Sequence, residues 1–586
     1  MQLALFVIIG LIAVYLGFFC FDDYTMIDYY QRYAYYLITI NIVLWLISLV
    51  KSFFYTETKT ENNNYFQRFN SFFKTHWVAL ILSFLLMVLA TLSCKPDYRV
   101  LGDESILLSI SQSLYETKKS FVSCSSLENY EGTKTVLVSV LDKRPIFFPY
   151  IVSVIHSSTG YRPDNIFICN FIIGFLSLFL IYYLIYLMCG RFWGINGLVC
   201  LAAYPLFIVY CTSAGFDIFN MMCSLIFFVC LYKFIKSSDA IRAELFLLWV
   251  PLLAQSRYES VLALLIALPL VFWLLPKKEY SKLGIGFVSF PLFFIAPLWL
   301  RLLTNKASDW QINNGEAVFS VEWFLENINA AITFSLSNEK AYGIIPLISI
   351  IGFIGLILFL SDTYFKKSLK LNYIEELTIR EHRIYWGAFF LFYLLHAIAK
   401  FSYKLSDLRD VLATRHAIIF LPLFIIMAIL FLYRVNLKLC FKRYYYSILF
   451  FLLVVVYWSN NVTSCCGQPE LAIPSEFREG RNYIEANFPN KNEYVIVSDK
   501  PNFYVPLGYS SINFTAYKHF RELIRDYCKK NSNSYLLVIQ LLNEDMTPFK
   551  GQEMFEDVDS EIVFEVCITK GYFYRISKCV FKDEAK

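Results

Sequence analysis

Charged residues are scarce in this sequence. Only 17% of the 586 residues are Asp, Glu, Lys or Arg, whereas a typical soluble domain contains about 25%. The 52 basic residues outnumber the 47 acidic ones by five, so the net charge is +5. A chain with so few charges and so many apolar residues is neither disordered nor an ordinary cytosolic enzyme. The weak net charge also excludes a nucleic-acid-binding domain with a basic face, and we expect no nucleic-acid partner.

Cysteines with metal-binding spacing are absent as well. The chain has 15 cysteines but no CxxC pair, so a zinc site is not expected. Most of the cysteines lie in apolar runs, where a free cysteine behaves as a small hydrophobic residue. If the polar segments are extracytoplasmic, one or two disulfides could form there, in a pairing that the sequence leaves open. The cysteines in polar segments are Cys124, Cys465, Cys466, Cys528, Cys567 and Cys579.

Apolar residues dominate instead. Hydrophobic residues make up 57% of the chain and aromatic residues 19%. A transmembrane helix needs roughly 20 mostly apolar residues, so the long apolar runs predict a polytopic α-helical membrane protein with about 13 transmembrane helices. The first run lacks a preceding basic stretch and a small-residue cleavage site, and we expect it to be a retained helix. The predicted spans are 1–20, 33–50, 76–94, 165–189, 192–210, 217–235, 243–257, 258–276, 283–303, 343–365, 384–403, 416–433 and 445–459.

The basic residues of the short loops predict the orientation of these spans. With a cytoplasmic N-terminus, four basic loops fall on the cytoplasmic side, as the positive-inside rule requires; they are 51–75, 277–282, 366–383 and 434–443. The opposite side receives the long or polar pieces, where we expect the chemistry; they are 95–164, 304–342, 404–415 and 460–586. Most charges near the spans lie at the span ends, which favours chemistry at one membrane face over transport through the middle.

The sequence predicts three regions. Residues 1–75 hold two N-terminal transmembrane helices and a cytoplasmic connection. Residues 76–460 form a transmembrane core with large outer loops at 95–164 and 304–342. Residues 461–586 alternate short β-like runs with helical stretches, which predicts a small soluble extracytoplasmic α/β domain.

An acidic pair in the first large outer loop is the first candidate for catalysis. Asp103 and Glu104 lie nine and ten residues beyond Cys94, where the preceding span ends. Carboxylates just outside the bilayer are partly desolvated, so their basicity can rise enough for a general base, and two of them could also hold a metal. The alternative is structural: Asp103 or Ser105 caps the following helix, with Glu104 in its first turn.

Basic residues at outer span boundaries are candidates for binding a phosphate. Lys143 and Arg144 open an aromatic, proline-rich segment that runs to Tyr150 and is too short to span. Arginine can hold a phosphate through two hydrogen bonds, although Lys, Arg and Tyr also anchor chains at headgroups. Arg257 lies between two apolar runs, where a cation needs a partner, and Glu259 could be that partner.

Further polar residues occur at the same predicted face. Asp217 and Asn220 follow the small-residue turn 212–216 and could either cap a helix or shape a sugar pocket. Arg415 and His416 open a late span. The isolated histidines His156 and His396 are interpreted as packed polar residues.

In their order along the chain, these pieces resemble the GT-C superfamily of membrane glycosyltransferases. The similar branch is that of the protein O-mannosyltransferases and lipid A aminoarabinose transferases (families 39 and 83). The resemblance covers roughly residues 76–433, and order and spacing carry it rather than any single motif. His416 departs from the family, whose members often have Arg-Tyr at this place. The matching pieces are Asp103-Glu104, Lys143-Arg144-Pro145, Arg162-Pro163-Asp164, Trp193-Gly194, Asp217, Arg257-Tyr258-Glu259 and Arg415-His416.

The resemblance implies the GT-C fold and an enzyme of the bacterial cytoplasmic membrane whose active site faces outward. Such enzymes take a sugar from a polyprenyl-phosphate donor and place it on a glycan, lipid or protein acceptor. It implies Asp103 or Glu104 as the catalytic base. It further implies donor-phosphate binding by Lys143, Arg144, Arg257 and Arg415, and a substrate pocket formed by Tyr150, Asp217, Asn220, Tyr258, Glu259 and His416. Some relatives use a divalent metal, but no ligands beyond the acidic pair are evident, so no cofactor is assigned.

Three other functions stay open at this point, and one of them is a non-catalytic assembly factor. A flippase or transporter for a lipid-linked glycan would need polar groups lining a path between helices, and deep charges are few here. A polysaccharide polymerase or ligase would centre on a later outer loop with Arg and His, but loop 304–342 contains neither residue.

Overall fold

A computed structural model describes most of the chain. The described residues are 1–54, 65–130, 133–306, 319–336, 345–364, 377–403, 414–439, 475–530, 534–568 and 571–582. Contacts divide the chain into two compact units. The helical unit is drawn from Met1–Asp97, Lys143–Phe148 and Phe167–Gln468, and the sheet unit from Tyr98–Asp142, Pro149–Ile166 and Pro469–Lys586.

Long apolar helices make up the helical unit. Within the described residues, seven are long and apolar enough to cross a membrane, or eight if the bent pair Arg191–Ala203 and Pro205–Cys211 counts as one span. The pair bends by 72° where Pro205, which has no N–H to donate, opens the second helix. The helices are α1 Gln2–Phe18, α2 Asp23–Phe54, α3 Tyr65–Ser93, α6 Asn165–Cys189, α7 Arg191–Ala203, α8 Pro205–Cys211, α9 Asp217–Ser237, α10 Ala240–Ala254, α11 Leu264–Leu274, α12 Ile285–Ser289, α13 Ile295–Lys306, α14 Val321–Leu336, α15 Pro346–Tyr364, α16 Ile379–Phe401 and α17 Leu421–Leu439.

Helix α9 lies at the centre of the helical unit. It is the most deeply buried of the described candidate spans, with 89% of its apolar window inside the protein. Its Phe227 and Phe228 rings pack against Phe246 of α10 and Phe392 of α16. Because α9 is apolar on every side, neighbouring helices must cover it all round. The N-terminal end of α9 is therefore held rigidly, and the candidate site lies there.

The helical fold predicted from the sequence is confirmed, although the number of spans stays a prediction. Twelve predicted spans fall on described helices, and 445–459 lies outside the described residues. The predicted span 192–210 is two helices at an angle. The predicted span 243–257 ends as a helix at Ala254, so Arg257 lies in extended backbone (φ −155°, ψ 154°) before a 3-10 turn at Tyr258–Ala263.

A seven-stranded sheet organises the sheet unit and confirms the predicted C-terminal α/β domain. Its strand order is β2-β1-β4-β3-β5-β7-β6, and β3 pairs in parallel with both β4 and β5. Buried residues such as Val497, Leu536 and Tyr517 form its core. The strands are β1 Val122–Tyr130, β2 Thr133–Val140, β3 Tyr494–Val497, β4 Ser511–Ile512, β5 Tyr535–Leu542, β6 Val558–Ile568 and β7 Tyr572–Phe581. The helices are α4 Leu101–Thr117, α5 Phe147–Thr159, α18 Ser475–Asn487, α19 Phe514–His519 and α20 Arg521–Lys530.

The first outer loop contributes two strands that the sequence analysis did not predict. Strands β1 and β2 form a hairpin, and β1 joins the C-terminal strands through the pair Ser126 and Ser511. The serine-rich sequence of β1 has little apolar alternation, which is why it gives no strand signal. That a separate soluble domain begins at residue 461 stays a prediction.

Four of the cysteines in the polar segments are described, and none of these four forms a disulfide; they are Cys124, Cys528, Cys567 and Cys579. Cys465 and Cys466 lie outside the described residues. Cys94, at the end of α3, is disulfide-bonded.

Candidate functional site

Arg257 lies at the centre of a buried ionic network in the helical unit. Its guanidinium forms an ion pair with Asp217, and the two side chains are 7% and 2% exposed. Its Nε lies 3.4 Å from Glu259 Oε1, and its Nη2 lies 3.1 Å from His416 Nδ1. Its face also lies 4.9 Å from the centre of the Phe216 ring. A cation in such a place needs close partners, and the sequence prediction that Glu259 partners Arg257 agrees with this geometry.

Lys400 belongs to the same network, and the sequence analysis missed it. Its Nζ lies 2.9 Å from Glu259 Oε1 and donates to the His416 carbonyl oxygen at 3.3 Å. Lys400 occupies the last turn of α16 and is 5% exposed. The signal that could have found it is a single lysine near the end of an apolar span, since a buried ammonium requires an acidic partner.

A second, uncharged network surrounds Asn220, one turn after Asp217. Its side-chain oxygen accepts hydrogen bonds from Ser256 (2.8 Å) and Ser260 (2.9 Å). Ser260 Oγ also lies 3.4 Å from Nε2 of His396. His396 is buried against the Phe392 ring at 4.0 Å, so it is a packed, hydrogen-bonded histidine. The Asn220 contacts fix the segment that carries Arg257.

The turn before α9 places Asp217 at the helix start. Asn170 of α6 donates to the carbonyl oxygens of Ser213 (2.6 Å) and Gly215 (2.8 Å). The backbone therefore reverses tightly, and Asp217 enters the first turn of α9. A helix N-terminus favours a carboxylate, and Asp217 also neutralises Arg257.

The basic segment lies at the same end of the helical unit. The Phe147 N–H donates to the Gln255 carbonyl oxygen at 3.3 Å, two residues before Arg257. The Phe147 and Phe148 rings pack on Phe219 of α9, at 4.8 and 5.7 Å. Lys143 and Arg144 are both half-buried. Because they precede Phe147 by only four and three residues, they lie near the ionic network.

Arg415 and His416 open a 3-10 turn that leads into α17. His416 contacts Arg257, and Arg415 is half-buried beside it. The ring of Tyr258 lies 5.7 Å from the Arg301 guanidinium.

The buried network is balanced in charge among the described residues. Asp217 and Glu259 balance Arg257 and Lys400, and Lys143, Arg144 and Arg415 are further basic residues of the helical unit. Arg257 is held by protein groups on three sides, which makes it a fixed charge rather than a mobile one. A fixed positive charge of this kind can stabilise a phosphate group.

The two members of the acidic pair, in the sheet unit, are placed differently. Glu104 is completely buried, and its Oε2 accepts hydrogen bonds from the N–H groups of Arg99 (2.5 Å) and Val100 (3.1 Å). Asp103 is half-buried. The N-cap is Val100, so neither Asp103 nor Ser105 occupies that position. Glu104 therefore stabilises the start of α4.

The remaining predicted site residue, Tyr150, is buried in α5 of the sheet unit. The convergence of Tyr150 and the acidic pair with the helical-unit residues stays a prediction.

The acidic pair does not fit a metal held by both carboxylates. One oxygen of Glu104 is bound to two backbone N–H groups. Among the described residues, no group of three or more His, Cys, Asp or Glu side chains could hold a metal ion.

Comparisons with known proteins identify the fold. Residues 143–300 match the family model of dolichyl-phosphate-mannose-protein mannosyltransferases, which is about a quarter of the chain. Apo ArnT from Cupriavidus metallidurans is similar in structure, with a TM-score of 0.50 and 9% identity over 86% of this chain and 97% of that one. ArnT bound to undecaprenyl phosphate gives a TM-score of 0.48 with 9% identity over 86% and 98%.

A more distant similarity extends to another solved structure. The Archaeoglobus fulgidus oligosaccharyltransferase gives a TM-score of 0.44 and 12% identity over 81% of this chain and 70% of that one. No curated protein sequence matches this chain significantly. The chain has the fold of ArnT, and the predicted resemblance to GT-C glycosyltransferases is confirmed.

Proposed function

We propose that this chain is an integral membrane glycosyltransferase that moves a sugar from a polyprenyl-phosphate donor to an acceptor at the extracytoplasmic face. The observation that carries the proposal is the buried network around Arg257, at the N-terminal end of α9. Arg257 and Asp217 lie within the segment that matches the mannosyltransferase family model. A solved structure of similar fold holds undecaprenyl phosphate.

The cations have a definite task in such a reaction. When the bond between the sugar and the phosphate breaks, negative charge builds on the leaving phosphate, and preorganised positive groups stabilise it. Asp217 and Glu259 hold Arg257 in one orientation, so its charge is in place before the donor arrives. Lys143, Arg144 and Arg415 would then supply the direct contacts to the phosphate oxygens, since arginine and lysine side chains donate charged hydrogen bonds to phosphate.

The acceptor hydroxyl needs a base, and we assign this role to Asp103. Glu104 is buried on the backbone amides of Arg99 and Val100, whereas Asp103 is half-buried and lies on the same helix turn. Asp103 would take the hydroxyl proton as the acceptor oxygen attacks the anomeric carbon. In-line displacement of the phosphate would invert the configuration of that carbon.

A disulfide supports the outward-facing site. Thr212, five residues before Asp217, donates a hydrogen bond from its Oγ1 to Cys94 Sγ at 3.3 Å. The disulfide-bonded Cys94 therefore lies at the same end of the helical unit as the ionic network. Disulfides persist in oxidising compartments and are rare in the cytoplasm. The fold and charges are compatible with a protein, lipid or glycan acceptor.

The test is sugar transfer by the purified protein from a radiolabelled polyprenyl-phosphate sugar. The measurement is the amount of polyprenyl phosphate that is released. We expect transfer to depend on Asp103 and on the cations, and added polyprenyl phosphate to compete with the donor. Movement of labelled lipid across vesicles without any release of sugar would instead show a flippase and refute the proposal.

A further inference from the structure

A cavity lies at the other end of the helical unit, away from the ionic network. It measures about 970 Å³ and is lined by Leu3, Phe272, Trp273, Lys277, Tyr280 and Arg380, among others. Ile235 and Ser238, near the end of α9, also line it. Since Asp217 begins this 21-residue helix, the cavity and the network are separated by about 30 Å, at 1.5 Å per residue. That separation equals the hydrocarbon thickness of a bilayer, so the cavity lies at the opposite membrane interface.

The cavity is apolar on one wall and basic on the other. Trp273 is 61% exposed on the surface of the apolar helix α11, as expected for an aromatic residue at headgroup level. The Arg380 guanidinium lies 5.7 Å from the centre of the Trp273 ring, and Tyr280 stacks on Phe272. Positive charge therefore lies directly beside exposed aromatic surface at the depth where headgroups meet acyl chains.

The acidic groups near the cavity are engaged within the protein. Glu381 Oε2 accepts the Thr378 N–H at 2.8 Å, in the capping box that starts α16. Glu279 pairs with Lys282 at 2.6 Å. Within the described part of the chain, neither Lys277 nor Arg380 is in an ion pair. The cavity thus offers two cations to a ligand, together with the N-terminal end of α16.

We propose that this cavity binds the headgroup of one anionic phospholipid, with the phosphate between Lys277 and Arg380 and an acyl chain along Phe272 and Trp273. The charge of the cavity selects an anionic headgroup, and its exposed aromatic wall selects a ligand with a tail. Loops 277–282 and 366–383 are predicted to face the cytoplasm, where anionic lipids attract basic residues. The bound lipid would hold α9, α11 and α16 together at the face opposite the reaction.

The experiment uses the full-length chain, purified in detergent, stripped of lipid and titrated with phosphatidylglycerol while native mass spectrometry counts bound lipid. The test variant is the double substitution Lys277→Gln and Arg380→Gln. Its matched control is Lys278→Gln with Arg383→Gln, which removes the same charge from exposed neighbours that do not line the cavity. Losing one charged hydrogen bond to the phosphate weakens binding by about tenfold, so we expect the test variant to bind about 100-fold more weakly. The control residues do not line the cavity, and the control should bind as wild type.

Further arms separate the sources of the phosphate. Phosphatidylcholine should not be retained, and sodium phosphate alone should neither displace the lipid nor raise the melting temperature. If sodium phosphate protects the protein as well as the lipid does, the site binds a soluble anion and the proposal is wrong. Equal losses in both double variants would show unspecific surface attraction, and would also overturn it. Should the glutamine pair fail to fold, the charge-keeping pair Lys277→Arg with Arg380→Lys must still retain phosphatidylglycerol, and its failure to do so contradicts the proposal.

Discussion

Replacing Lys400 by methionine tests whether the buried network behaves as one unit. The ammonium lies 2.9 Å from Glu259 Oε1, and methionine fills nearly the same volume without a charge. Glu259 is then left with Arg257, whose Nε is 3.4 Å away. Breaking a buried ion pair by removing one partner costs about 3–5 kcal/mol. We expect about 3 kcal/mol here, because Arg257 still compensates part of the Glu259 charge.

The diagnostic quantity is the coupling between Lys400 and Glu259. Glu259→Gln in the Lys400→Met background removes the charge that Lys400→Met leaves behind. The double variant should therefore be less destabilised than the sum of the single variants, by about 2–3 kcal/mol. The measurement is the free energy of unfolding of the purified protein in mixed micelles, for wild type, both single variants and the double variant.

The kinetic readout distinguishes positioning from mere stability. Under the proposed function, Lys400 orients Arg257 through Glu259, so Lys400→Met should lower kcat for sugar transfer under conditions where the protein is still folded. Lys400→Arg should restore most of it. Additive stabilities in the cycle, or unchanged kcat in a folded Lys400→Met variant, would refute the idea that Lys400 orients Arg257.

Three further outcomes follow from the described contacts. Arg415→Ala should raise the KM for the polyprenyl-phosphate donor by about tenfold or more, as expected for losing a charged hydrogen bond. Arg434→Ala, in α17, should leave this KM unchanged. Equal KM values for the two variants would remove Arg415 from the phosphate site. Asp103→Asn should lower sugar transfer by roughly a hundredfold at unchanged melting temperature. Glu104→Ala should instead cost about 2 kcal/mol of stability through the lost backbone hydrogen bonds and keep the activity of the folded fraction. Full activity of Asp103→Asn would exclude Asp103 as the base. Burial lowers the pKa of His156 to about 4 from its ordinary 6.5, so the native state holds a neutral imidazole. Stability is therefore highest above pH 6.5 and falls as the pH drops from 6.5 toward 4, by at most about 3 kcal/mol. His156→Gln should flatten this pH dependence in acid unfolding of the full chain, and an unchanged slope would contradict the buried, neutral state of His156.

The helical architecture could be predicted because its physical cause is local. Uninterrupted apolar runs must lie in the bilayer, and the bilayer forces helices, since each backbone N–H must be satisfied within its own segment. Arg257 could be singled out for the same reason, because a cation between apolar runs requires a partner. Its partner Glu259 is two residues away, so it could be proposed as well.

Other features depend on contacts between distant parts of the chain, which no local pattern reports. Strand β1 has a serine-rich sequence and becomes a strand through pairing with β2 and β4, the latter 385 positions away between Ser126 and Ser511. The ion pair between Lys400 and Glu259 joins α16 to the turn after α10. A lysine or a glutamate near a helix end is common in any protein. Only the contact between Lys400 and Glu259 makes this pair part of a candidate site.

The division of the acidic pair shows why adjacency in sequence is a weak guide to shared chemistry. Consecutive residues of a helix point about 100° apart, so two neighbouring carboxylates at a helix start face different surroundings. Glu104 turns back to the amides of Arg99 and Val100, where the helix start favours a negative charge. That contact gives Glu104 a structural task at the helix start, and we therefore propose Asp103 for the role of the base. The structural and the catalytic interpretations of the pair, which compete when only the sequence is considered, are therefore compatible when each is given to one residue.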